Sequence, residues 1–530
     1  MSAIFKHPGI GMIQGKLGDG VVQFLGVPFA TLKDRFAVAE PAKYDSDAMI
    51  DATKLGPSVL SPPTAVDFEQ SLIQHTLPYE GLSISDLKGL IMNITVPTFG
   101  QKAIEPTRKL PVFVFIYGGG FSIGSSSWPE YDFSRIIKLS TDIGSPVIGV
   151  SFNYRLGLPG FLTSKELRDA GYKTNNGLRD QRLALQWVKK YIDGFGGDAD
   201  NITVAGESAG GASVLYQLQS EEPLFRRAVP MSGSNLLIKP VPLESTEGPY
   251  SAAMEALGLE SASTEERVKQ LSAIAGEDLL AKTGMKVQVG PVMDGDVIKG
   301  TSSYETTSSG SQADLPGKNW CSGLMIGDCA FDGNIMSLQF GPRKAGLKAA
   351  FDNHFHSALG DSGFASLCLT YSITPETSDD EAFMSVLRFT NDIGFYAPTT
   401  AYAQGFAAAG SDVYVYRFNE LNPWEGPWKG ESTHILDIAF LFQNYNEHLS
   451  EEQRSVAVKF AEHFVQFVAG KAPWQAWKPG QEKALVLEGG KVELRDDTPA
   501  ATGRREAFVE LAEKIGYDKL SGAWLEFLRG

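Results

Sequence analysis

The sequence predicts an α/β fold: a large, mostly parallel mixed sheet flanked by helices, with an antiparallel hairpin at its N-terminal end. Three observations carry this expectation. The runs Val112–Tyr117, after Pro111, and Val147–Val150, after Pro146, are apolar on every residue or nearly so. Strands covered on both faces need that composition. Between Asn176 and Phe195, the residues Ala184, Trp187, Val188, Tyr191, Ile192 and Phe195 form one apolar stripe at helical spacing. A third apolar run, Ile202–Ala205, passes through Gly206-Glu207-Ser208-Ala209-Gly210 into the helix-compatible stretch Ala209–Leu218.

The remaining elements follow in order. Ile10–Ala30 reads as a hairpin turning at Gly18-Asp19-Gly20. Further strands are expected at Ala228–Met231, Leu324–Ile326 and Val413–Phe418, and helices at Ser455–Ala469 and Arg504–Leu528. Ser58–Gly89, with Pro62-Pro63, has no clear period and reads as a covering flap or an irregular excursion. Thr301–Lys318 is rich in Ser, Thr and Gly and reads as a surface loop. No repeat divides the chain, so residues 1–530 are expected to form a single domain.

Bulk properties narrow the function. The chain has 530 residues, 43% of them hydrophobic, enough for a large core. A formal net charge of −16 argues against nucleic-acid binding, which relies on basic patches. No apolar run approaches the roughly 18 residues of a membrane helix. The N-terminus lacks the apolar core of a signal peptide. The only three cysteines, Cys321, Cys329 and Cys368, are too few and odd in number for a disulfide framework. A cytoplasmic protein is expected. The sequons at Asn93 and Asn201 fall in or beside expected strands and read as accidental.

The chemistry centres on Ser208. A strand that turns sharply into a helix exposes its turn residue, and flanking glycines let the turn form. A serine hydroxyl is a weak nucleophile until a base takes its proton, so Ser208 demands a histidine and a carboxylate elsewhere. A second match to the same pattern, Gly120-Phe121-Ser122-Ile123-Gly124, runs into Ser125-Ser126-Ser127-Trp128-Pro129, which starts no long helix. Ser122 therefore reads as a loop serine. Gly118-Gly119-Gly120-Phe121 directly follows a central strand, and glycines there let N–H groups approach a developing oxyanion. The N–H of Ala209 is the third expected donor.

Five histidines follow Ser208: His354, His356, His434, His448 and His463. His463 lies inside an amphipathic helix. His354 and His356 lack a third residue at metal-ligand spacing, and no metal or cofactor is expected. His434 follows a loop carrying Pro423, Gly426, Pro427 and Gly430, which suits a base that leans over the serine. Many carboxylates lie between Ser208 and His434. Asp332, just past an apolar strand, is one candidate among them. Trp424 and Trp428 precede the base loop, either along a substrate gorge or at the core edge.

The chain resembles the type B carboxylesterase family over nearly its whole length. Val22–Ala30 with Arg35-Phe36, Tyr117–Phe121, Asn153–Gly157, Asn176–Gln181 and Met231–Ser234 each resemble a block of that family. The most specific stretch is Phe195-Gly196-Gly197-Asp198 running into Gly206–Ser213. The resemblance implies an α/β-hydrolase fold and cleavage of small-molecule carboxylic esters without a cofactor. It implies Ser208 as nucleophile, His434 as base, and Gly119, Gly120 and Ala209 as oxyanion donors, with Glu207 and Ser232 supporting. Ile326–Gly333 resembles the acid block and implies Asp332 as the acid, an Asp where Glu is more usual. The same site is compatible with acyl transfer or lipase activity, and the family also holds non-catalytic binding proteins, which typically lose triad residues.

Two departures stand out. The block Asp86–Asn93 has glycine where secreted members carry cysteine, and its acidic pair is altered, which leaves the partner of Arg35 open. Ile435 replaces the glycine expected after the histidine and is expected to narrow the pocket beside the base.

Overall fold

A computed structural model describes residues 2–99, 106–313, 315–502 and 504–529. Thirteen strands among these residues form one sheet. Its centre is parallel. Ile148–Phe152, Leu110–Ile116, Gly197–Glu207, Arg227–Met231, Gly323–Cys329, Asp412–Phe418 and Lys483–Glu488 lie side by side in that order. The apolar runs explain the position: Val112, Val114, Ile116, Ile148 and Val150 are all fully buried, as strands covered on both faces must be.

The N-terminal end of the sheet is antiparallel. Gly11–Leu17 pairs with Val21–Pro28, Val21–Pro28 with Ile91–Pro97, and Ile91–Pro97 with Ile148–Phe152. A strand the sequence did not announce, Ser2–His7, extends this edge beside Gly11–Leu17. It alternates exposed and half-buried residues, so its apolar signal is weak. Asn93 sits inside the Ile91–Pro97 strand, its side chain bonded to Ser126 and Ser127.

Helices Asn176–Tyr191, Ala209–Gln217 and Glu451–Val468 match the expected stripes. The C-terminal segment is two helices rather than one. Arg504–Ile515 and Tyr517–Arg529 meet at Gly516, whose φ of +96° ends the first.

The two irregular stretches are more ordered than their composition suggested. Thr301–Lys318 carries a short helix, Tyr304–Ser308, with Tyr304 and Thr307 buried. Lys318 is itself buried, its ammonium donating to the carbonyls of Thr307, Ser309 and Ser311. Ser58–Gly89 carries the helix Ala65–Ile73. Its far end is tied down by Arg35, whose partner is Asp86 at 2.7 Å.

Behind the sheet's carboxyl edge, Arg155 and Asp180 form a bidentate pair, with Nε–Oδ2 at 2.8 Å and Nη2–Oδ1 at 2.7 Å, both side chains at or below 2% exposed. Asp180→Ala strands the guanidinium without its counter-charge. It is expected to destabilise the protein by about 3–5 kcal/mol, read as a lower denaturation midpoint in urea.

Candidate active site

Four segments bring the site together, each at the carboxyl end of a parallel strand, where α/β sheets collect ligands. The strand Gly197–Glu207 ends at Ser208, whose N–H donates to Met231 O at 2.9 Å. Ser208 has φ 57° and ψ −122°, and Ala209 begins the helix. A non-glycine residue with positive φ is strained. That strain is tolerated here because close packing fixes the turn: a methyl group at Gly210 would stand 2.0 Å from Ile116 O. Ser208 is half-buried and its hydroxyl has no hydrogen-bond partner among the described residues.

The glycine loop after Leu110–Ile116 runs alongside. A methyl group at Gly118 would lie 3.0 Å from Ser208 Cβ. Gly119 has φ +86° and Gly120 +61°. Gly119 O takes the N–H groups of Ser122 and Ile123, which closes the turn. The N–H groups of Gly119, Gly120 and Ala209 donate to no acceptor among the described residues. Gly120 is exposed, so this side of the site opens to solvent. Ser122 lies farther along the loop, its hydroxyl donating to Gly120 O at 3.3 Å.

Asp332 and His434 stand on two loops joined to each other. Phe331 N donates to Ser432 O, and Asn334 Oδ1 accepts His434 N at 2.9 Å. His434 Nδ1 lies 2.7 Å from Asp332 Oδ1. The other carboxylate oxygen of Asp332 accepts Cys329 N at 2.7 Å and the Ser232 hydroxyl at 3.0 Å. On the far side of the ring, Nε2 lies 3.1 Å from Glu207 Oε1. His434 therefore stands between two buried carboxyl groups, and the edge of Phe395 closes a third side at 5.4 Å. Ile435 adopts φ 67°, the left-handed conformation that glycine holds without strain. That is the physical meaning of the departure noted in the sequence.

Electrostatics follow from burial. Burial disfavours the charged imidazole, but the carboxyls of Glu207, Asp332 and Asp437 outweigh it and hold His434 up at about 9. Burial raises Asp332, opposed by its bond to His434. Burial also pushes Glu207 well above the carboxylate range; His434 opposes this, while Asp437, Glu69 and Asp332 add to it. Burial thus holds both carboxyls that flank His434 above the ordinary carboxylate range, and the imidazole between them opposes that rise.

Sequence reasoning missed several residues that touch this cluster. Asn334 was legible only as the residue after Asp332-Gly333. Cys329 contributes its backbone N–H, which no composition signals. Two further buried acids, Glu69 and Glu130, come from distant segments. Tyr131 donates to Glu69, and Gln70 Nε2 donates to Glu130 Oε2 at 3.3 Å. Trp424 is nearly buried at the core edge, and Trp428 packs edge-on to Phe331 at 5.7 Å. The other histidines lie elsewhere: His354 contacts Ala523 O, His356 pairs with Asp361, and His463 contacts Pro473 O. Among the described residues no cluster of three or more His, Cys, Asp or Glu could hold a metal ion. No helix among them is long and apolar enough to cross a membrane.

Comparison with known proteins gives this geometry its context. The para-nitrobenzyl esterase of Bacillus subtilis (strain 168) is 27% identical over 534 residues, covering 95% of this chain and 98% of that protein. The bile salt-activated lipase of Rattus norvegicus is 31% identical over 463 residues, covering 80% of this chain and 68% of that one. Among solved structures, the Geobacillus stearothermophilus carboxylesterase Est55 superimposes with a TM-score of 0.72 at 26% identity, over 95% of this chain and 99% of that one. A PNB esterase superimposes with a TM-score of 0.73 at 24% identity over the same shares, a likeness of fold. Residues 5–495 match the Carboxylesterase family. The chain belongs to that family, has its α/β-hydrolase fold, and is a carboxylic-ester hydrolase.

Proposed function

We propose that the protein hydrolyses small-molecule carboxylic esters through an acyl-enzyme formed on Ser208. The observation that carries this reading is the convergence of a strained, unpartnered serine with three unpartnered N–H groups, beside a histidine oriented by a buried carboxylate. His434 Nε2 takes the Ser208 proton as the hydroxyl attacks the ester carbonyl. The N–H groups of Gly119, Gly120 and Ala209 receive the oxyanion. His434 returns the proton to the departing alcohol and then activates water, which releases the acid. Asp332 holds the ring with its proton on Nδ1 and stabilises the imidazolium. Ser232 and Cys329 hold Asp332 in turn.

In this structure Nε2 faces Glu207 rather than Ser208. Catalytic hydrogen bonds are often made only when substrate arrives. The three cysteines are free, which accords with a cytoplasmic setting.

The test is a series of p-nitrophenyl esters from acetyl to palmitoyl, with peptide mapping of an organophosphate adduct. Turnover with the label on Ser208 supports the reading and gives the acyl preference. Turnover with the label on another serine refutes it. Product analysis with added alcohols separates hydrolysis from acyl transfer, and a jump in rate at an oil–water interface marks a lipase.

The pH dependence has a defined sign. The base works as neutral imidazole, and nearby carboxyls favour its protonated form. The acid limb of kcat/KM is therefore expected above the ordinary histidine value of 6.5, with activity rising as pH increases through it. Initial rates at low substrate concentration between about pH 5 and 10 check this.

A further inference from the structure

The antiparallel end of the sheet has two unlike faces. On one, Phe24 pairs with Ile94 and Ile94 with Val150, and all three are fully buried. The other carries Gln23 opposite Thr95 and Asn93 opposite Ser151. Such alternation usually marks a sheet with one face in water. Here the polar face is covered as well: Gln23 is 8% exposed, Asn93 7%, Thr95 2% and Ser151 1%.

The cover stands off from the sheet. The flap segment 78–83 and the loop from Ser126 to Phe133 bound a cavity of about 720 Å³ over these four side chains, within the roughly 300–1,000 Å³ of small-molecule sites. Its walls are fixed. The Tyr79 hydroxyl donates to Asp67 Oδ1 at 2.7 Å. Asn93 Nδ2 donates to Ser126 O at 3.2 Å and to Ser127 Oγ at 3.1 Å, and the Ser151 hydroxyl donates to Ser126 O at 3.3 Å.

Asn93 and Ser151 are thus satisfied, but other groups are left over. Gln23 donates to Asp132 Oδ2 at 3.3 Å, while its carbonyl oxygen has no hydrogen-bond partner among the described residues. The Thr95 hydroxyl and the Trp128 indole N–H have none either. Covered polar groups gain when they are paired. These three offer one acceptor, one donor and one hydroxyl that serves as both. The charged residues on the wall are Lys16, Lys54, Glu80 and Asp132, two of each sign, which favours a neutral ligand. Trp128, stacked on Tyr131 with centroids 6.5 Å apart, and Tyr79 supply aromatic surface.

We infer that this cavity is a second, non-catalytic binding site for a neutral pyranoside. Such a ring carries hydroxyls that both donate and accept, suited to Thr95 and Gln23, and an apolar C–H face suited to Trp128. None of Ser208, Asp332, His434 and the glycines 118–120 lines the cavity, so the inference does not rest on the chemistry at Ser208.

The test is isothermal titration calorimetry of the full chain with methyl α- and β-D-glucopyranoside, methyl β-D-galactopyranoside and methyl α-D-mannopyranoside. At least one is expected to bind with one-to-one stoichiometry and a Kd below about 10 mM. Thr95→Val keeps the side-chain shape and removes the hydroxyl. Gln23→Leu removes the free acceptor. Each is expected to weaken that binding about fivefold, with far-UV circular dichroism showing that the variant folds. A loss in either folded variant places the glycoside on this sheet face. A parent-like Kd in both overturns the inference, as does a Kd above about 10 mM for every glycoside. Cyclohexylmethanol binding as tightly as the best glycoside would mean an apolar void, and tighter binding of glucose 6-phosphate an anion site; either result overturns the pyranoside assignment. A glycoside that raises KM for p-nitrophenyl acetate, leaves kcat unchanged and has an inhibition constant equal to its Kd sits at Ser208, which also overturns it.

Discussion

Ser208→Ala is expected to lower kcat for ester hydrolysis by about 10⁶-fold, the scale on which loss of a serine nucleophile acts. The substitution removes one oxygen that makes no hydrogen bond among the described residues. Alanine keeps the Cβ, the backbone N–H to Met231 O, and the packing of Gly210 against Ile116 O. Stability is therefore expected to change little, while the acyl-enzyme can no longer form. The three unpartnered N–H groups survive and still bind a carbonyl oxygen, so a residual rate of about 10³–10⁴ over water remains. Initial rates on p-nitrophenyl acetate, with burst kinetics for the parent, read both effects. Less than a tenfold loss would remove Ser208 from the chemistry.

Much of this architecture was legible because its signals are local. A strand buried on both faces is mostly apolar, and the short runs Val112–Tyr117 and Ile202–Ala205, bounded by turn residues, suggested central strands. The serine turn was legible because its glycines are demanded by contact distances, Gly210 against Ile116 O among them. The glycine loop after Val112–Tyr117 was legible for the same reason, since Gly119 and Gly120 both adopt positive φ. Elements held by long-range polar contacts were not. Tyr304–Ser308 looked like loop because it is one short turn in a polar stretch, and its Ser303–Thr306 capping box is completed by Asp518, which accepts the N–H groups of Tyr304 and Glu305. The break at Gly516 was hidden by the amphipathic pattern that continues on both sides of it.

The site divides in the same way. The position of Ser208 followed from its own neighbours. Asp332 stayed one carboxylate among many until the family resemblance singled it out, because nothing local distinguishes an acid that will face a histidine about a hundred residues downstream. Glu69 gave no signal at all. It sits in a stretch without clear periodicity, and its meaning comes from burial beside Tyr131. Arg35 shows how a changed partner is absorbed: with the family's acidic pair altered, its guanidinium takes Asp86 and the carbonyl of Ile274.

Asp332→Asn is the sharper test of the mechanism, with an expected loss of about 10⁴-fold in kcat. The reason lies in the surroundings of Asp332, not in its charge alone. One oxygen receives two donors, Cys329 N–H and the Ser232 hydroxyl. An asparagine must place its carbonyl oxygen there, because its amide nitrogen would meet donors. The NH₂ group then faces His434 Nδ1 and donates to it. The ring is driven to the tautomer with its proton on Nε2, and that nitrogen cannot accept the proton of Ser208. Glu207 Oε1 lies 3.1 Å from Nε2, on the same side of the ring. Folding is expected to persist, since every donor around the side chain keeps an acceptor. Asp437, a third carboxyl around His434, is bonded to the Tyr416 hydroxyl at 2.8 Å and makes no bond to the imidazole. Asp437→Asn is therefore expected to cost far less than Asp332→Asn. If the two losses are comparable, the orienting role belongs to the carboxyl cluster as a whole and not to Asp332.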